Sequence, residues 1–165
     1  MAERVDLKSK GFQHRIKIRF KHKIIPIIHI DINKYRKEFF WRYNWANKMS
    51  KNKKVLEIPS GEGWGTKLLN KAKFVVAMDI DFNSSKKGRS LKGNENNFFV
   101  VGDMAFLNFQ SSYFDLVCCL EGIEHISVAS GKLFIKECAR VLKSNGVLLI
   151  SSPFAKSGEH SGNPY

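Results

Sequence analysis

Three glycines fall within five positions of the chain, at Gly61, Gly63 and Gly65, directly after the short apolar run of residues 55–58. Glycine weakens a regular helix or strand, because it loses more backbone entropy on folding than other residues and offers no side chain to pack. The spacing therefore predicts a sharp turn whose backbone comes close to another surface.

Acidic residues recur where the apolar runs of the chain end. Four of these apolar runs end in an acidic residue or are directly followed by one. The four residues are Glu57, Asp79, Asp103 and Glu121. In a parallel sheet the carboxyl ends of the strands form the ligand-binding edge. Carboxylates gathered there favour a ligand rich in hydrogen-bond donors and positive charge, such as a ribose diol, an exocyclic amine or an ammonium group.

A sheet is needed to bring these residues together. Short apolar runs predict five strands, at residues 55–58, 74–80, 98–103, 114–120 and 147–153. Helices are predicted from the glycine loop to about Ala72 and over residues 131–144, with Asn145 and Gly146 ending the latter in the left-handed conformation. Alternating strands and helices are typical of a three-layer α-β-α sandwich with a mostly parallel, Rossmann-like sheet.

The N-terminal part of the chain is strongly basic. Residues 1–54 carry 16 lysines and arginines against 4 acidic residues, whereas residues 55–165 carry 12 against 11. We divide the chain into a basic, partly flexible leader at residues 1–31 and one domain at residues 32–165. The leader is interpreted either as an arm for nucleic acid or a membrane surface, or as a solvated segment without a partner.

Local patterns in this part predict two elements. Basic and mostly apolar residues alternate over residues 15–23, which predicts a strand with one charged face. Pro26 argues against a central strand at that point, because proline cannot donate to a ladder of hydrogen bonds. Aromatic and apolar residues at helical spacing predict an amphipathic helix over residues 32–49.

A dinucleotide site is the first alternative for the glycine loop. The usual fingerprint is G-x-G-x-x-G, but here Gly61, Gly63 and Gly65 give G-x-G-x-G and position 66 is Thr66. Glu57 would face the pyrophosphate of a dinucleotide at short range, which is electrostatically unfavourable. The sulfonium and ammonium of S-adenosyl-L-methionine suit that carboxylate better.

Four ordered motifs resemble those of the class I S-adenosylmethionine-dependent methyltransferases, specifically the methyltransferase type 11-like domain. VLEIPSGEGWGT resembles motif I and VVAMDID resembles motif II of that family. FVVGDMAFLNFQSSYFDLVCCLEGIEHI and FIKECARVLKSNGVLLISSP resemble the two later motifs. The resemblance runs from about residue 53 to residue 154.

The resemblance implies a cofactor, S-adenosyl-L-methionine, and a set of residues around it. The residues implied to bind the cofactor are Glu57, Pro59, Ser60, Gly61, Gly63, Asp79, Ile80, Asp103, Met104 and Glu121. Glu57 anchors the loop or meets the ammonium, and Asp79 accepts the ribose hydroxyls. Ile80 and Met104 line the adenine, Asp103 accepts from the adenine amine, and Glu121 lies near the sulfonium.

The sequence departs from the family pattern at two points. Pro59 and Ser60 stand where a glycine and a cysteine are usual. The family's sheet continues beyond strand five to two further strands, and residues 162–165 resemble the lead-in to the sixth. We therefore expect a domain truncated after about strand five, with an open sheet edge.

Methyl transfer to a small-molecule or glycan acceptor is the function that these patterns favour. Residues 39–46 resemble a helix found in methyltransferases of glycan synthesis, which implies that Tyr43 lies over the cofactor pocket. His125 is the candidate general base, with a structural hydrogen-bonding role as the alternative reading. Asp115 is expected to stabilise the fold.

Two other functions remain open at this point. One is an RNA-directed methyltransferase using the basic leader, although the NPPY-type motif for base amines is absent after strand four. The other is a non-catalytic, cofactor-binding remnant.

Further features bear on the environment of the chain. No apolar run is long enough to cross a membrane, and no signal-peptide pattern begins the sequence. The three cysteines lack metal-ligand spacing, so we expect reduced thiols, no metal site and a cytoplasmic location.

Overall fold

The computed structural model describes residues 3–6, 13–20, 23–32 and 37–153. The strands are β1 (Glu3–Asp6), β2 (Gln13–Phe20), β3 (Lys23–Ile32), β4 (Lys54–Glu57), β5 (Phe74–Asp79), β6 (Asn97–Val101), β7 (Phe114–Leu120) and β8 (Leu142–Pro153). The helices are α1 (Lys37–Ser50), α2 (Phe82–Ser90) and α3 (Val128–Val141), with short 3₁₀ helices at Thr66–Leu68 and Ile123–His125.

The strands of the described residues form one sheet in the order β1-β2-β3-β8-β7-β4-β5-β6. The five strands predicted from the apolar runs, β4 to β8, are parallel to one another and are joined by crossovers. This arrangement confirms the predicted Rossmann-like α/β fold. It also brings the carboxyl ends of these strands to one edge of the sheet.

Helices cover both faces of the sheet. On one face, Phe134 and Cys138 of α3 pack against Leu56 of β4 in a buried cluster. On the other face, Tyr43 and Ala46 of α1 pack in a second buried cluster that includes Val55 of β4. Neighbouring residues of β4 therefore point to opposite layers, as the period of two in a strand requires.

Helix boundaries differ from the predictions where tertiary contacts decide them. Helix α1 begins at Lys37 rather than at residue 32, because Ile32 pairs with Pro153 in the sheet. Only a 3₁₀ helix follows the glycine loop, since eight residues separate Gly65 from the start of β5. The helix predicted to reach Ala72 is therefore wrong.

The last helix is also displaced from its prediction. Ser127 caps the N-terminus of α3 by accepting a hydrogen bond from the Ser130 N–H, so the helix begins at Val128 instead of residue 131. It ends at Val141, and β8 starts at Leu142, which pairs with Phe114 of β7. Asn145 and Gly146 lie inside β8, so the prediction that they end the helix is wrong.

The N-terminal strands extend the sheet on the side of β8. β3 pairs with β8 in parallel from Ile27 to Ile32, and β2 pairs with β3 antiparallel. The expected open edge beside β8 is therefore not found, and the prediction that Pro26 excludes a central strand is wrong. Pro26 lies just before the stretch that pairs with β8, so its missing N–H removes no hydrogen bond on that side.

Two predictions fall on residues outside those that the structure describes. Residues 154–165, including the segment that resembles the lead-in to strand six, lie outside the described residues. Residues 1–2, 7–12 and 21–22 of the basic leader do so as well.

Candidate functional site

The glycine loop follows β4 and turns back over the carboxyl edge of the sheet. The backbone N–H of Ser60 donates to the carbonyl of Met78 in β5, at 2.9 Å, which fixes the start of the turn. Gly61 and Gly63 have φ angles of 52° and 77°, in the left-handed region that favours glycine. The peptide bond between Ile58 and Pro59 is cis, and Pro59 packs against Gly122.

The first two glycines of the loop serve different purposes. A Cβ atom built on Gly61 would meet none of the described residues within 4 Å, so the backbone here faces open space. A Cβ atom on Gly63 would lie 2.8 Å from the ring of Phe99 and 2.9 Å from the amide nitrogen of Asn94. Gly63 is thus required for packing within the protein, whereas Gly61 leaves room for a ligand.

Glu57 is a fully buried carboxyl group at the end of β4. Its Oε1 accepts a hydrogen bond of 2.6 Å from the hydroxyl of Tyr43 on α1. Burial raises the pKa of Glu57 from 4.5 to about 7, the nearby hydroxyls of Thr66 and Tyr43 oppose this rise, and the charge of Asp79 adds to it. Glu57 is therefore poised to change its charge near neutral pH.

Three buried polar atoms around the loop lack a hydrogen-bond partner among the described residues. They are Oε2 of Glu57, the hydroxyl of Ser60 and the hydroxyl of Thr66. The Thr66 hydroxyl lowers the pKa of Glu57 without reaching hydrogen-bond geometry to it. Buried polar groups in native proteins are normally paired, so these three atoms form an unusual buried polar cluster at the glycine loop.

Asp79 ends β5 directly beside the loop. Its Oδ2 accepts from the Gly61 N–H at 2.7 Å, and its Oδ1 accepts from the Asp81 N–H at 3.0 Å. The carboxylate is only 8% exposed and retains further lone pairs for a diol. Asp81 caps α2 through bonds to two backbone N–H groups, so it belongs to the helix rather than to the site.

Ile80 and Met104 each directly follow an acidic residue at the carboxyl edge, Asp79 and Asp103. Ile80 is 72% exposed. Met104 is buried in the core cluster that includes Met78. Asp103 precedes Met104, is exposed, and accepts from the Ala105 N–H at 2.8 Å.

Glu121 follows β7 in a left-handed conformation, with φ of 55°. Its Oε1 accepts from the Ser151 hydroxyl at 2.8 Å and lies 3.5 Å from the guanidinium of Arg42. Arg42 is nearly buried, and its Nε has no hydrogen-bond partner among the described residues. Three elements, α1, β7 and β8, therefore meet at one polar cluster beside the carboxyl edge of the sheet.

The segment after Glu121 places two more ionisable groups at this edge. Burial raises the pKa of Glu124, and its Oε2 is buried without a partner in the part of the chain that is described. His125 is exposed, and its backbone N–H donates to the carbonyl of Gly122. The structure thus leaves the imidazole of His125 accessible from solvent.

The structure brings the predicted site residues to one edge, and it adds partners that the sequence did not assign. Tyr43 was expected to lie over the pocket, but it is buried against Glu57 and Gly65. Arg42, Thr66 and Ser151 received no role from the sequence. The available signal for Arg42 and Tyr43 was their adjacent position on the amphipathic helix α1. Tyr43 faces the core there, and Arg42 lies at the carboxyl edge.

Asp115 lies away from this edge, at the start of β7. It accepts from the Lys54 N–H at 2.9 Å and from the Lys143 ammonium at 2.6 Å. These bonds tie β4, β7 and β8 together, which agrees with the expected role in the fold.

Among the described residues, no group of His, Cys, Asp or Glu side chains is arranged to hold a metal ion. Cys118, Cys119 and Cys138 are buried free thiols whose pKa values are raised by burial. None of the described helices is long and apolar enough to cross a membrane.

The fold and the edge define a class I methyltransferase domain, and comparisons with known proteins agree. Residues 56–150 match the family model described as "Methyltransferase domain". The chain is 33% identical over 100 residues to a protein named as a probable S-adenosylmethionine-dependent methyltransferase in Mycobacterium tuberculosis, covering 60% of this chain and 35% of that protein.

Two further relatives extend this likeness. A phosphoethanolamine N-methyltransferase of Plasmodium falciparum is 29% identical over 115 residues, which is 68% of this chain and 43% of the relative. The crystal structure of a Pyrococcus horikoshii protein is 31% identical, with a TM-score of 0.63, covering 72% of this chain and 58% of that one.

The chain belongs to the methyltransferase-domain family, whose cofactor is S-adenosyl-L-methionine. It spans less than half the length of the two curated relatives above.

Proposed function

We propose that this chain binds S-adenosyl-L-methionine at the carboxyl edge of β4, β5, β6 and β7 and transfers its methyl group to a small-molecule or glycan acceptor. The observation that carries the proposal is the open face of Gly61, whose N–H donates to the nearly buried carboxylate of Asp79 at the end of β5. A ligand with hydroxyl or ammonium donors would be favoured beside the acidic residues of this edge.

Each carboxylate along the edge has a role in this proposal. Glu57 would face the cationic, methionine end of the cofactor, because its burial beside the loop makes a cationic neighbour favourable. Asp79 would accept the ribose hydroxyls with the lone pairs that the loop leaves free. Asp103 would accept from the adenine amine, with Ile80 and Met104 along the ring.

The bound cofactor supplies a methyl group that its sulfonium already activates for displacement. The protein must then place an acceptor in line with that group and exclude water. Glu121 lies at the end of β7, in the position implied to be near the sulfonium, and Arg42 and Ser151 fix its orientation. His125 lies four residues further on and would take the proton of an acceptor hydroxyl or ammonium.

The charge of the edge favours a small acceptor over a polynucleotide. Glu57, Asp79, Asp103, Glu121 and Glu124 are all acidic, and Arg42 lies 3.5 Å from one of them, Glu121. Such an edge would repel the phosphates of RNA, even though the chain as a whole carries a net charge of +13. A glycan remains within the proposed acceptor class, because its hydroxyls are uncharged.

The test is a methyl-transfer assay that reads S-adenosylhomocysteine formation with separate pools of small amines, sugars and RNA. We expect turnover with a small-molecule or sugar pool, and a His125→Gln variant that loses at least about tenfold in rate while still binding S-adenosylhomocysteine. Lys48→Gln, on the last turn of α1, is the matched surface control. Turnover with RNA alone would contradict the acceptor class, and cofactor binding without turnover on any pool would favour the remnant.

A further inference from the structure

Tyr43 connects helix α1 to both parts of the candidate cofactor site. Its hydroxyl donates to Oε1 of Glu57 at 2.6 Å, and both side chains are buried. Its ring also fills the space beside Gly65, where a Cβ atom would lie 1.9 Å from the ring carbon Cζ. One side chain therefore contacts the end of β4 and the last glycine of the loop.

The hydrogen bond runs from Tyr43 to Glu57 whenever Glu57 is charged, because a carboxylate can only accept. Burial raises the pKa of Tyr43 well above 10.0, and the charge of Glu57 raises it further. Tyr43 therefore stays neutral, and it is the donor to Oε1 of the charged carboxylate. This leaves Oε2 as the oxygen without a partner among the described residues.

The groups facing Glu57 come from four elements. They are Tyr43 on α1, Thr66 on the 3₁₀ helix, Asp79 on β5 and Cys118 on β7. Asp79 opposes the charge of Glu57, and the Cys118 thiol stays neutral because burial raises its pKa. The two hydroxyls, of Tyr43 and Thr66, are thus the groups in this set that stabilise the charged carboxylate.

We propose that Tyr43 is a positioning residue for the cofactor, whose hydroxyl holds Glu57 as a carboxylate that attracts the cationic end of the ligand from its buried position at the end of β4. This inference rests on the proposed function, because it assumes that the cofactor's cation lies beside the glycine loop. It makes cofactor binding depend on the docking of α1. The aromatic contact of Tyr43 with Phe39, at 4.7 Å between ring centroids, reinforces that docking.

A pH signature follows from this arrangement. Binding of a cation by Glu57 strengthens as pH rises through the pKa of Glu57, about 7. Removing the Tyr43 hydroxyl withdraws a group that favours the carboxylate, so the pKa of Glu57 rises. The pH at which binding reaches half its full strength then moves upward.

The experiment is calorimetric titration with S-adenosylhomocysteine at several pH values between about 6 and 8.5, for the wild type, Tyr43→Phe and Tyr113→Phe. Tyr113 also loses a hydroxyl in its variant, but it lies just before β7, at the opposite edge. We expect Tyr43→Phe to bind about fivefold more weakly at pH 7 and within about twofold of the wild type at pH 8.5. The ligand's own ammonium changes charge with pH in the same way in all three titrations. Its effect therefore cancels when the affinities of the three proteins are compared.

An equal loss of affinity at both pH values would overturn the proposal, because it would show a purely structural role for Tyr43. Should Tyr43→Phe not fold, Glu57→Gln provides the second test, since it keeps an acceptor for Tyr43 but cannot titrate. The pH dependence of binding near 7 must disappear in that variant, and its persistence would likewise overturn the proposal. Absence of binding by the folded wild type would instead overturn the proposed function itself.

Discussion

The carboxylate of Asp79 accepts a hydrogen bond of 2.7 Å from the backbone N–H of Gly61, eighteen residues earlier in the chain. This bond joins the end of β5 to the residue of the glycine loop that faces open space. The second oxygen of Asp79 accepts from the Asp81 N–H, so both oxygens are already oriented. The loop and the proposed ribose acceptor are thereby held in one geometry before a ligand arrives, which lowers the entropic cost of binding.

Replacing Glu57 by glutamine should remove a pH dependence of folding. The pKa of Glu57 is raised from 4.5 to about 7, so the folded state binds more protons between these pH values and stability falls as pH rises. The total is about 3.5 kcal/mol, at about 1.4 kcal/mol for each pKa unit. Urea unfolding at about pH 5 and pH 8 should show that Glu57→Gln lacks this fall and is more stable than the wild type at pH 8.

The control for this prediction is Glu95→Gln. Glu95 is an exposed carboxylate whose pKa is lowered by a backbone hydrogen bond from Gly93, so it stays charged across that pH range. Glu95→Gln should therefore keep the wild-type pH slope. A slope in Glu57→Gln equal to that of the wild type would show that Glu57 does not titrate near neutral pH.

Replacing Gly61 or Gly63 by alanine should affect folding stability and ligand affinity differently. Gly61→Ala should cost about 1 kcal/mol of folding free energy, because its positive φ is the only source of strain. The same variant should bind S-adenosylhomocysteine at least about tenfold more weakly. Gly63→Ala should cost about 3 kcal/mol, because its Cβ also collides with Phe99 and Asn94. Thermal unfolding and calorimetry on both variants check this, and Gly61→Ala with wild-type affinity would remove Gly61 from the site.

Arg140 should stabilise the segment that follows Asp103. Its guanidinium bonds Glu137 at 2.8 Å, the carbonyl of Phe109 at 2.6 Å and the carbonyl of Leu107. Arg140→Met should lower the free energy of unfolding by about 2 kcal/mol, since the two carbonyls and Glu137 lose a charged donor. Urea unfolding measures this, with the exposed Arg89→Met as the matched control. Equal stability of the two variants would contradict the prediction.

Strands were predictable from the sequence because their signal is local. The run Phe114–Leu120 is apolar and bounded by polar turns, and β7 has those bounds. Helix ends were less predictable, because they depend on partners elsewhere in the chain. Leu142 leaves the helix to pair with Phe114, a contact that no local pattern indicates.

The candidate site shows the same division between local and distant information. The residue types at the strand ends, such as Glu57 and Asp79, could be predicted because each follows an apolar run. The pairing of Tyr43 with Glu57 could not, because it joins residues on separate elements fourteen positions apart. The β3 strand beside β8 was missed for a similar reason. Pro26 argues against a strand unless the residues that pair with the neighbouring strand are known.

Calorimetric titration of the chain with S-adenosylhomocysteine tests the central claim, with Asp79→Ala and Asp115→Asn as the paired variants. Asp79 holds Gly61 at the proposed site, whereas Asp115 binds Lys54 and Lys143 at the start of β7. We expect micromolar binding by the wild type, its loss in Asp79→Ala, and its retention in Asp115→Asn at lower stability. A folded wild-type chain that does not bind, or an Asp79→Ala variant that binds equally well, would contradict it.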